Sequence, residues 1–542
     1  MTILNSRDVR RMHLRTLSAA AVFTVLAAGC AVGPNYERPA TENVVVYKEA
    51  GDWIAAAPSD AVDRGPWWEL FNDPVLNSLA AQVEVSNQNV AAAVAAYAQA
   101  RALVAEQRAG LWPSVTLSGG ANRSANGGGA NNAGGGSNNN FSVSLGAAWE
   151  PDVWGRLQRV ASSADATAAA SAADLATAKL SAQGELAINY LTLRQQDAQM
   201  ALLTNTLTSF ARALEITQNR YTAGIVARTD VLQAQTQLAN AQADQVGVTR
   251  SRAQLEHAIA VLVGQAPGNF ALAASSQWTP VVPDVPIGVP STLLQRRPDI
   301  AAAERRVASA NEQIGIAKSA YYPSFNLNAS AGTGASRVAD LFSAPTALWA
   351  IGLSAAQVLF KGGAIDARVD GATAAHAQAV ARYRQVVLAA FQNVEDQLAS
   401  AKALQAQQLL RGQASIAADL VEQQALNRYT AGRASYLEVI TAQTSALSAR
   451  RALVQATSDR QATAVALIQS LGGGWQGNTV IKKATKYIAA CARIYWDTGL
   501  FSIKFSPFSA LFSVNRQQLN LKHQRCIGRY HAACATLAVG DR

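Results

Sequence analysis

Apolar residues recur along this chain with two periods, and the periods separate two kinds of element. Val83, Val90, Tyr97 and Val104 stand seven residues apart, as do Ile300, Val307 and Ile314, and again Leu186, Leu193, Met200, Leu207 and Leu214. A sustained heptad predicts long helices wound around one another with a left-handed supercoil. Residues 158–221 contain no Pro, and at 1.5 Å per residue an unbroken helix there would run roughly 95 Å. Asp73 followed by Pro74 predicts a helix start, with Asp as the cap and Pro in the first position. Pro298 reads as the opening of the matching helix in the second half.

Elsewhere the period is two. Phe141, Val143, Leu145, Ala147 and Trp149 alternate with Ser142, Ser144, Gly146 and Ala148, and Phe325, Leu327, Ala329 and Ala331 alternate with Asn326, Asn328 and Ser330. Val115 with Leu117, and Trp349 with Ile351 and Leu353, complete four such segments. Alternation over about ten residues is what a membrane-crossing strand requires, one face on lipid and the other on water. A half-buried sheet in a water-soluble protein carries the same pattern. Gly119 to Asn140, almost wholly Gly, Asn, Ala and Ser, reads as a flexible surface loop. Bacterial barrels need at least about eight strands, because an open edge cannot be left in lipid. One chain offers four, so a barrel has to be shared: two copies make eight strands, three make twelve, wide enough for a channel.

The chain also matches itself. NRYTAG at Asn219 to Gly224 returns at Asn427 to Gly432, and AQT at Ala234 to Thr236 returns at Ala442 to Thr444. LWPS at Leu111 answers YYPS at Tyr321, and the halves meet at a linker holding Pro280, Pro283, Pro286 and Pro290. One structural plan is present twice.

Composition narrows the function classes. Only 15% of the 542 residues are charged, against about 25% in ordinary soluble proteins, and no apolar run of about 18 occurs beyond the N-terminus, which excludes a bundle of transmembrane helices. The net charge of +10 is local. Residues 478–542 hold five Lys, five Arg and two Asp (+8), residues 1–29 hold four Arg and one Asp (+3), and the body is left near −1. The basic balance therefore gives no reason to expect nucleic acid as a partner. Arg7, Arg10, Arg11 and Arg15, then the apolar Leu17 to Leu26, then Ala27-Ala28-Gly29 before Cys30, form an export signal. It is similar to a bacterial lipoprotein signal in which Cys30 becomes the lipid-bearing first residue. An ordinary cleaved signal with an incidental Cys is the alternative. Ala31 after the Cys favours, by the same likeness, the outer membrane.

An ordered set of motifs carries a resemblance to a known family: VGPNYERP from Val32, PWWELFNDPVLNSL from Pro66, WEPDVWGR from Trp149, RYTAG in both halves, LLQRRPDIAAAE from Leu293, LFKGG from Leu359 and LGGGW from Leu471. Over residues 26–475 the chain resembles the TolC-like outer-membrane efflux factors, in particular their lipid-anchored OprM/NodT subgroup. The resemblance implies a mixed α and β membrane protein. In it, three copies form a homotrimeric β-barrel with four strands per chain, continued by a long periplasmic α-helical coiled-coil barrel, with two internal repeats per chain. It implies passive conduction of small molecules from an inner-membrane pump, of the RND type, through a periplasmic adaptor to the exterior. The domain plan is a signal over 1–29, an anchored segment over 30–72, repeats over 73–278 and 279–476, and a tail over 477–542.

By the same resemblance, Arg220, Tyr221 and Gly224, with Arg428, Tyr429 and Gly432, lie at the periplasmic tip where helices turn and the adaptor docks. Gly224 and Gly432 suit a turn needing positive φ, and Arg220 and Arg428 suit helix C-termini; plain helix-ending turns account for the Gly equally well. Asp230 aligns with an acid that helps hold the tip closed, and Tyr429 with a tyrosine of that network. Glu438 falls where an acid rings the constriction, favouring cations, and Thr441 stands where many members carry a second acid.

The rival readings are an enzyme, a coiled-coil structural lipoprotein without a pore, and a type I protein-secretion channel. An enzyme lacks a visible constellation: outside the tail and signal there are only His257 and His376, with no nucleophile motif and no phosphate loop. No cofactor is expected beyond the covalent lipid on Cys30. The tail carries His523, Cys526, His531 and Cys534 at a spacing that imitates a zinc site, but reads as a poorly ordered, dispensable extension.

Overall fold

Asp73 caps the first long helix as the sequence predicts: its carboxylate accepts from the backbone N–H of Val75 (2.9 Å) and Leu76 (3.2 Å). The structure, a computed structural model, describes residues 31–41, 47–50, 66–125, 137–275, 278–283, 285, 297–343 and 347–473. The signal, Cys30 and the tail with His523, Cys526, His531 and Cys534 lie outside the described residues. Contacts divide the chain after Gly477, and every described residue belongs to the first unit.

The order is α1 (Pro74–Ser86), α2 (Gln88–Ala109), β1 (Ser114–Ala125), β2 (Ser137–Trp149), α3 (Arg156–Thr222), α4 (Arg228–Leu262), α5 (Pro298–Lys318), β3 (Ser324–Ala335), β4 (Ala347–Ala356), α6 (Ala364–Thr430) and α7 (Tyr436–Ser470). The duplication is visible in the lengths. Helices α3 and α6 are each 67 residues, roughly 100 Å, and α4 and α7 are each 35 residues. Among the described residues no helix is long and apolar enough to cross a membrane.

Two expectations need correcting. The heptad from Val83 to Val104 spans two helices, because Asn87 stops one and starts the next. Its side-chain oxygen accepts from the N–H of Asn89 and Val90, and its amide donates to the carbonyl of Leu262 at 2.8 Å. A buried Asn that satisfies orphaned helix donors makes a break inexpensive, and the heptad register continues across it. Helix α5 leads into β3 as α2 leads into β1, so the helix opened by Pro298 corresponds to α2 and not to the helix capped by Asp73. Secondly, much of Gly119 to Asn140 is strand. Asn122 pairs with Asn140 and Gly120 with Ser142, and the ladder runs out to Ala125 opposite Ser137. Backbone hydrogen bonds do not need apolar side chains, so small and polar residues in a ladder leave no period to read. Residues 126–136 of that stretch lie outside the described residues.

Both repeats share one apolar core at mid-height. Trp67, Phe71, Leu76 and Val83 from the N-terminal part pack with Leu186 and Leu193 of α3, Ile300 and Val307 of α5, Val394 and Leu398 of α6, and Val465 of α7. Beside it runs a buried polar chain. Asp197, its side chain 2% exposed, accepts from Arg194 (2.9 Å) and Arg252 (2.7 Å), and Arg252 also pairs with Glu256 (2.7 Å). Arg194 and Arg252 donate to the carbonyls of Ala273 and Leu272, while Glu256 and Asp197 accept from the backbone of Leu272 and Ser275. Arg194 Nε donates to the Tyr190 hydroxyl, which donates to Asp73 at 2.7 Å. Burial and the bond to Asp73 push the Tyr190 hydroxyl well above the ordinary phenol range. The network thus fastens the inter-repeat linker and the start of α1 to the α3–α4 pair.

Removing the shared carboxylate leaves the buried Arg194 without an acidic partner and takes one of two from the half-buried Arg252, which keeps Glu256. Asp197→Ala should cost about 3–5 kcal/mol, read as a fall in the thermal unfolding midpoint of the detergent-solubilised protein; a change within error would mean the network adds nothing net.

Candidate functional site

The chain reverses twice at the same end of its helices, and the two turns are near copies. After α3, the N–H of Ala223 bonds to Asn219 O, that of Gly224 to Tyr221 O, and that of Ile225 to Arg220 O (2.9–3.0 Å). After α6, Ala431, Gly432 and Arg433 repeat the pattern on Asn427, Tyr429 and Arg428 (2.8–3.1 Å). These bonds satisfy the last carbonyls of each helix while the chain turns through Gly224 (φ 75°) and Gly432 (φ 74°), a left-handed conformation that a side chain resists. Helix α7 restarts with Ser435 Oγ accepting from the N–H of Glu438 at 3.3 Å.

Identical motifs acquire different environments here. Tyr429 is buried at 1% exposure, whereas its counterpart Tyr221 is 40% exposed. Arg220 donates to the carbonyl of Tyr429 at 2.7 Å and lies 4.5 Å over its ring, which joins the two repeats through one residue. The Tyr429 hydroxyl shares a hydrogen bond with Thr217 at 3.2 Å, and its ring sits 5.5 Å from that of Tyr436. Arg428 instead meets Glu438 at 3.4 Å, both partners well exposed, so that pair is worth at most about 1 kcal/mol. Thr441 donates to Leu437 O one turn back on its own helix.

The structure therefore brings together Arg220 with Tyr429 and Arg428 with Glu438, and leaves Tyr221 and Thr441 apart from both. Asp230, in the first turn of α4, acts on Tyr436 through its charge. Thr217 and Tyr436 are members that the sequence reading missed. Tyr436 carried a signal, an aromatic immediately after a Ser cap, whereas Thr217 had none.

At the opposite end lies one antiparallel sheet in the order β1-β2-β3-β4. Its register sorts the side chains by face. Leu117, Leu145, Ala331 and Trp349 stand in one row across the sheet, and Val115, Ala147, Ala329 and Ile351 in another on the same face. Between them, on the other face, stands Thr116 with Gly146, Ser330 and Ala350. The apolar face is open, with Leu117 at 75% and Trp349 at 80% exposure. Aromatic residues gather at the helix-side rim: the Trp149 indole donates to Leu111 O at 3.1 Å, the Trp154 and Tyr322 rings lie 4.8 Å apart, and Trp112 is exposed. Such rings mark a membrane–water boundary.

The model of the family described as outer membrane efflux protein matches residues 79–265 and 289–473. The pyoverdine export outer membrane protein OpmQ of Pseudomonas aeruginosa is 32% identical over 441 residues, covering 79% of this chain and 91% of OpmQ. The solved structure of the outer-membrane channel OprN superposes with a TM-score of 0.77 at 30% identity, over 82% of this chain and all of OprN. The open-state MtrE outer membrane channel of Neisseria gonorrhoeae gives 0.74 at 28% identity, over 83% of this chain and all of MtrE.

The turns carry two predictions. Gly224→Ala, with open space around the added methyl, should cost only the backbone strain, about 1–2 kcal/mol, whereas Tyr429→Ala should cost about 3–5 kcal/mol by emptying a packed site. Hydrogen exchange at the two hairpins should follow that order. Burial first, then Tyr429 and the Asp230 charge, push the Tyr436 hydroxyl from 10 up to about 12. A raised folded-state value means that its contribution to stability is complete below pH 10 and lost as pH climbs towards 12. In an alkaline titration, tyrosinate absorbance assigned to Tyr436, by difference from Tyr436→Phe, should appear near pH 12; a midpoint at 10 would contradict its burial.

Proposed function

The chain belongs to the outer membrane efflux protein family, and on that premise we propose that three copies close one twelve-stranded barrel in the outer membrane and one helical tube beneath it. The protein is an outer-membrane channel of an efflux system, with its helices extending into the periplasm. The observation that carries the trimer is the sheet. Its faces are sorted into apolar and small polar rows, and among the described residues β1 and β4 pair on one side only. Twelve strands satisfy every edge and leave an aqueous interior. On the helices, Val246 of α4 and Leu409, Ile416 and Leu420 of α6 are exposed apolar residues that neighbouring copies would cover.

Mechanism then follows from position. The channel supplies no energy; an inner-membrane pump, of the RND type, loads cargo through a periplasmic adaptor that docks on the two turns around Gly224 and Gly432. Docking shifts the tip from closed to open. Three copies of Glu438 ring the constriction and favour cations there, with the Arg428 pair moderating that charge, and Asp230 acts in holding the tip closed. Small molecules are the proposed cargo, in keeping with a relative named for pyoverdine export.

The lipid on Cys30 is part of the same reading. Ala31 lies against Gly155 just before α3, and the N–H of Val32 donates to the Trp154 carbonyl at 3.1 Å. The next residues are held down: Gly33 abuts Gly315, and Arg159 donates to Pro34 O while pairing with Glu312 at 2.7 Å. A lipid on the residue before Ala31 would enter the membrane at the aromatic rim, at about 0.8 kcal/mol per buried methylene.

The mass of the detergent-solubilised protein should be that of three chains. Ile351→Asp, which puts a charge on the apolar face, should abolish insertion into the outer membrane, while Ser354→Asp, on the other face, should be tolerated. Equal tolerance of both would overturn the barrel. Glu438→Gln should lower cation preference in planar-bilayer conductance, and unchanged selectivity would remove Glu438 from the constriction.

A further inference from the structure

The face of the sheet opposite the apolar rows contains no ionisable side chain among the described strand residues. Going across at one level, Ser114 pairs with Ala148, Ala148 with Asn328 and Asn328 with Gly352. The next level is Thr116, Gly146, Ser330 and Ala350, and the one above is Ser118, Ser144, Gly332 and Leu348. Further out, Asn122 faces Asn140. Within the described strands the one charged residue is Arg123, and its register with Asn139 puts it on the apolar face, level with neither row of hydroxyls. Glu150 and Arg337 follow only after the strands have ended.

Close packing reinforces this neutral wall, whose side chains at these three levels are small or polar apart from Leu348. A Cβ on Gly332 would come within 2.6 Å of the Val143 carbonyl and 2.8 Å of the Ser144 side chain, so a long charged side chain has no room to start from that position. Fixed charges on a pore wall enrich counter-ions and exclude co-ions over about a Debye length, roughly 8 Å at physiological salt. Hydroxyl and carboxamide groups act otherwise: each offers donors as well as acceptors, and so solvates either sign of charge.

We propose that the strand section of the pore is a charge-blind conduit, lined by hydroxyls and carboxamides, that passes cationic and anionic solutes alike. This rests on the channel reading above and deepens it, since the charge filter is confined to the helical section and the cargo class is not narrowed by charge at the membrane.

The local potential can be measured without depending on the tip. In the full-length assembled protein with Cys491→Ser, Cys526→Ser and Cys534→Ser, the Ser330→Cys thiol is exposed from outside to a cationic and an anionic methanethiosulfonate of similar size. The ratio of the two reaction rates, divided by the ratio for a small free thiol, should lie within about twofold of one. Thr116→Cys, on a different strand at the same level, should give the same answer, and Ile351→Cys should react with neither reagent. A normalised ratio of ten or more in either direction overturns the proposal, as does labelling of Ile351→Cys in place of Ser330→Cys. Conductance in planar bilayers of the Asp230→Ala protein, with its tip released, reads the channel itself: its absence alongside a ratio near one would count against the channel and not against the neutral wall.

Discussion

Everything in this molecule is arranged around a hydrogen-bonding debt at the two edges of a four-stranded sheet. In hydrocarbon no water is present to satisfy the outer N–H and C=O groups of β1 and β4, so a sheet with an apolar face cannot remain alone there. Strands of 10 to 13 residues are long enough to cross a bilayer at a tilt. In the proposed assembly, closure by further copies answers the edges and sets the helices of each copy beside those of the next. The exposed apolar residues of α4 and α6 would be covered by that same closure.

The duplication gives that architecture its regularity. Two hairpins must reach the same depth if a tube is to have one end, and the pairs of 67 and 35 residues do so. Helices rich in Ala bury surfaces such as Ala161, Ala164 and Ala168, which lets axes approach closely without a wide apolar stripe. Supercoiling keeps that thin seam in contact over many turns.

Equal sequence has not meant equal role. Tyr429 is the buried pin between the repeats and Tyr221 looks outward, though both belong to NRYTAG. The polar chain through Tyr190, Arg194, Asp197 and Glu256 serves the first hairpin. At the spacing of 208 set by that motif, the second copy has Leu398, Lys402, Gln405 and Ala464, with Leu398 in the apolar core. Arg252 does return at this spacing, as Arg460, but it donates to Gln408, and Gln461 beside it donates to the Val281 carbonyl, so the second copy touches the linker through neutral amides where the first uses buried charge.

Local rules of the chain made much of this legible before any coordinates. Period two gave the strands wherever side chains were large enough to alternate, period seven gave the long helices, Asp73-Pro74 gave a cap, and Gly after RYTA gave the left-handed turns. Each is a property of a residue and its near neighbours, so the sequence contains it outright. What escaped depends on contacts between distant positions: the break at Asn87, held by the Leu262 carbonyl, the Gly and Asn ladder beyond Gly119, and the choice of Tyr429 over Tyr221 as the buried partner of Arg220. Those are settled by which surfaces meet after folding, when a buried polar group must find its partner in another element or go without.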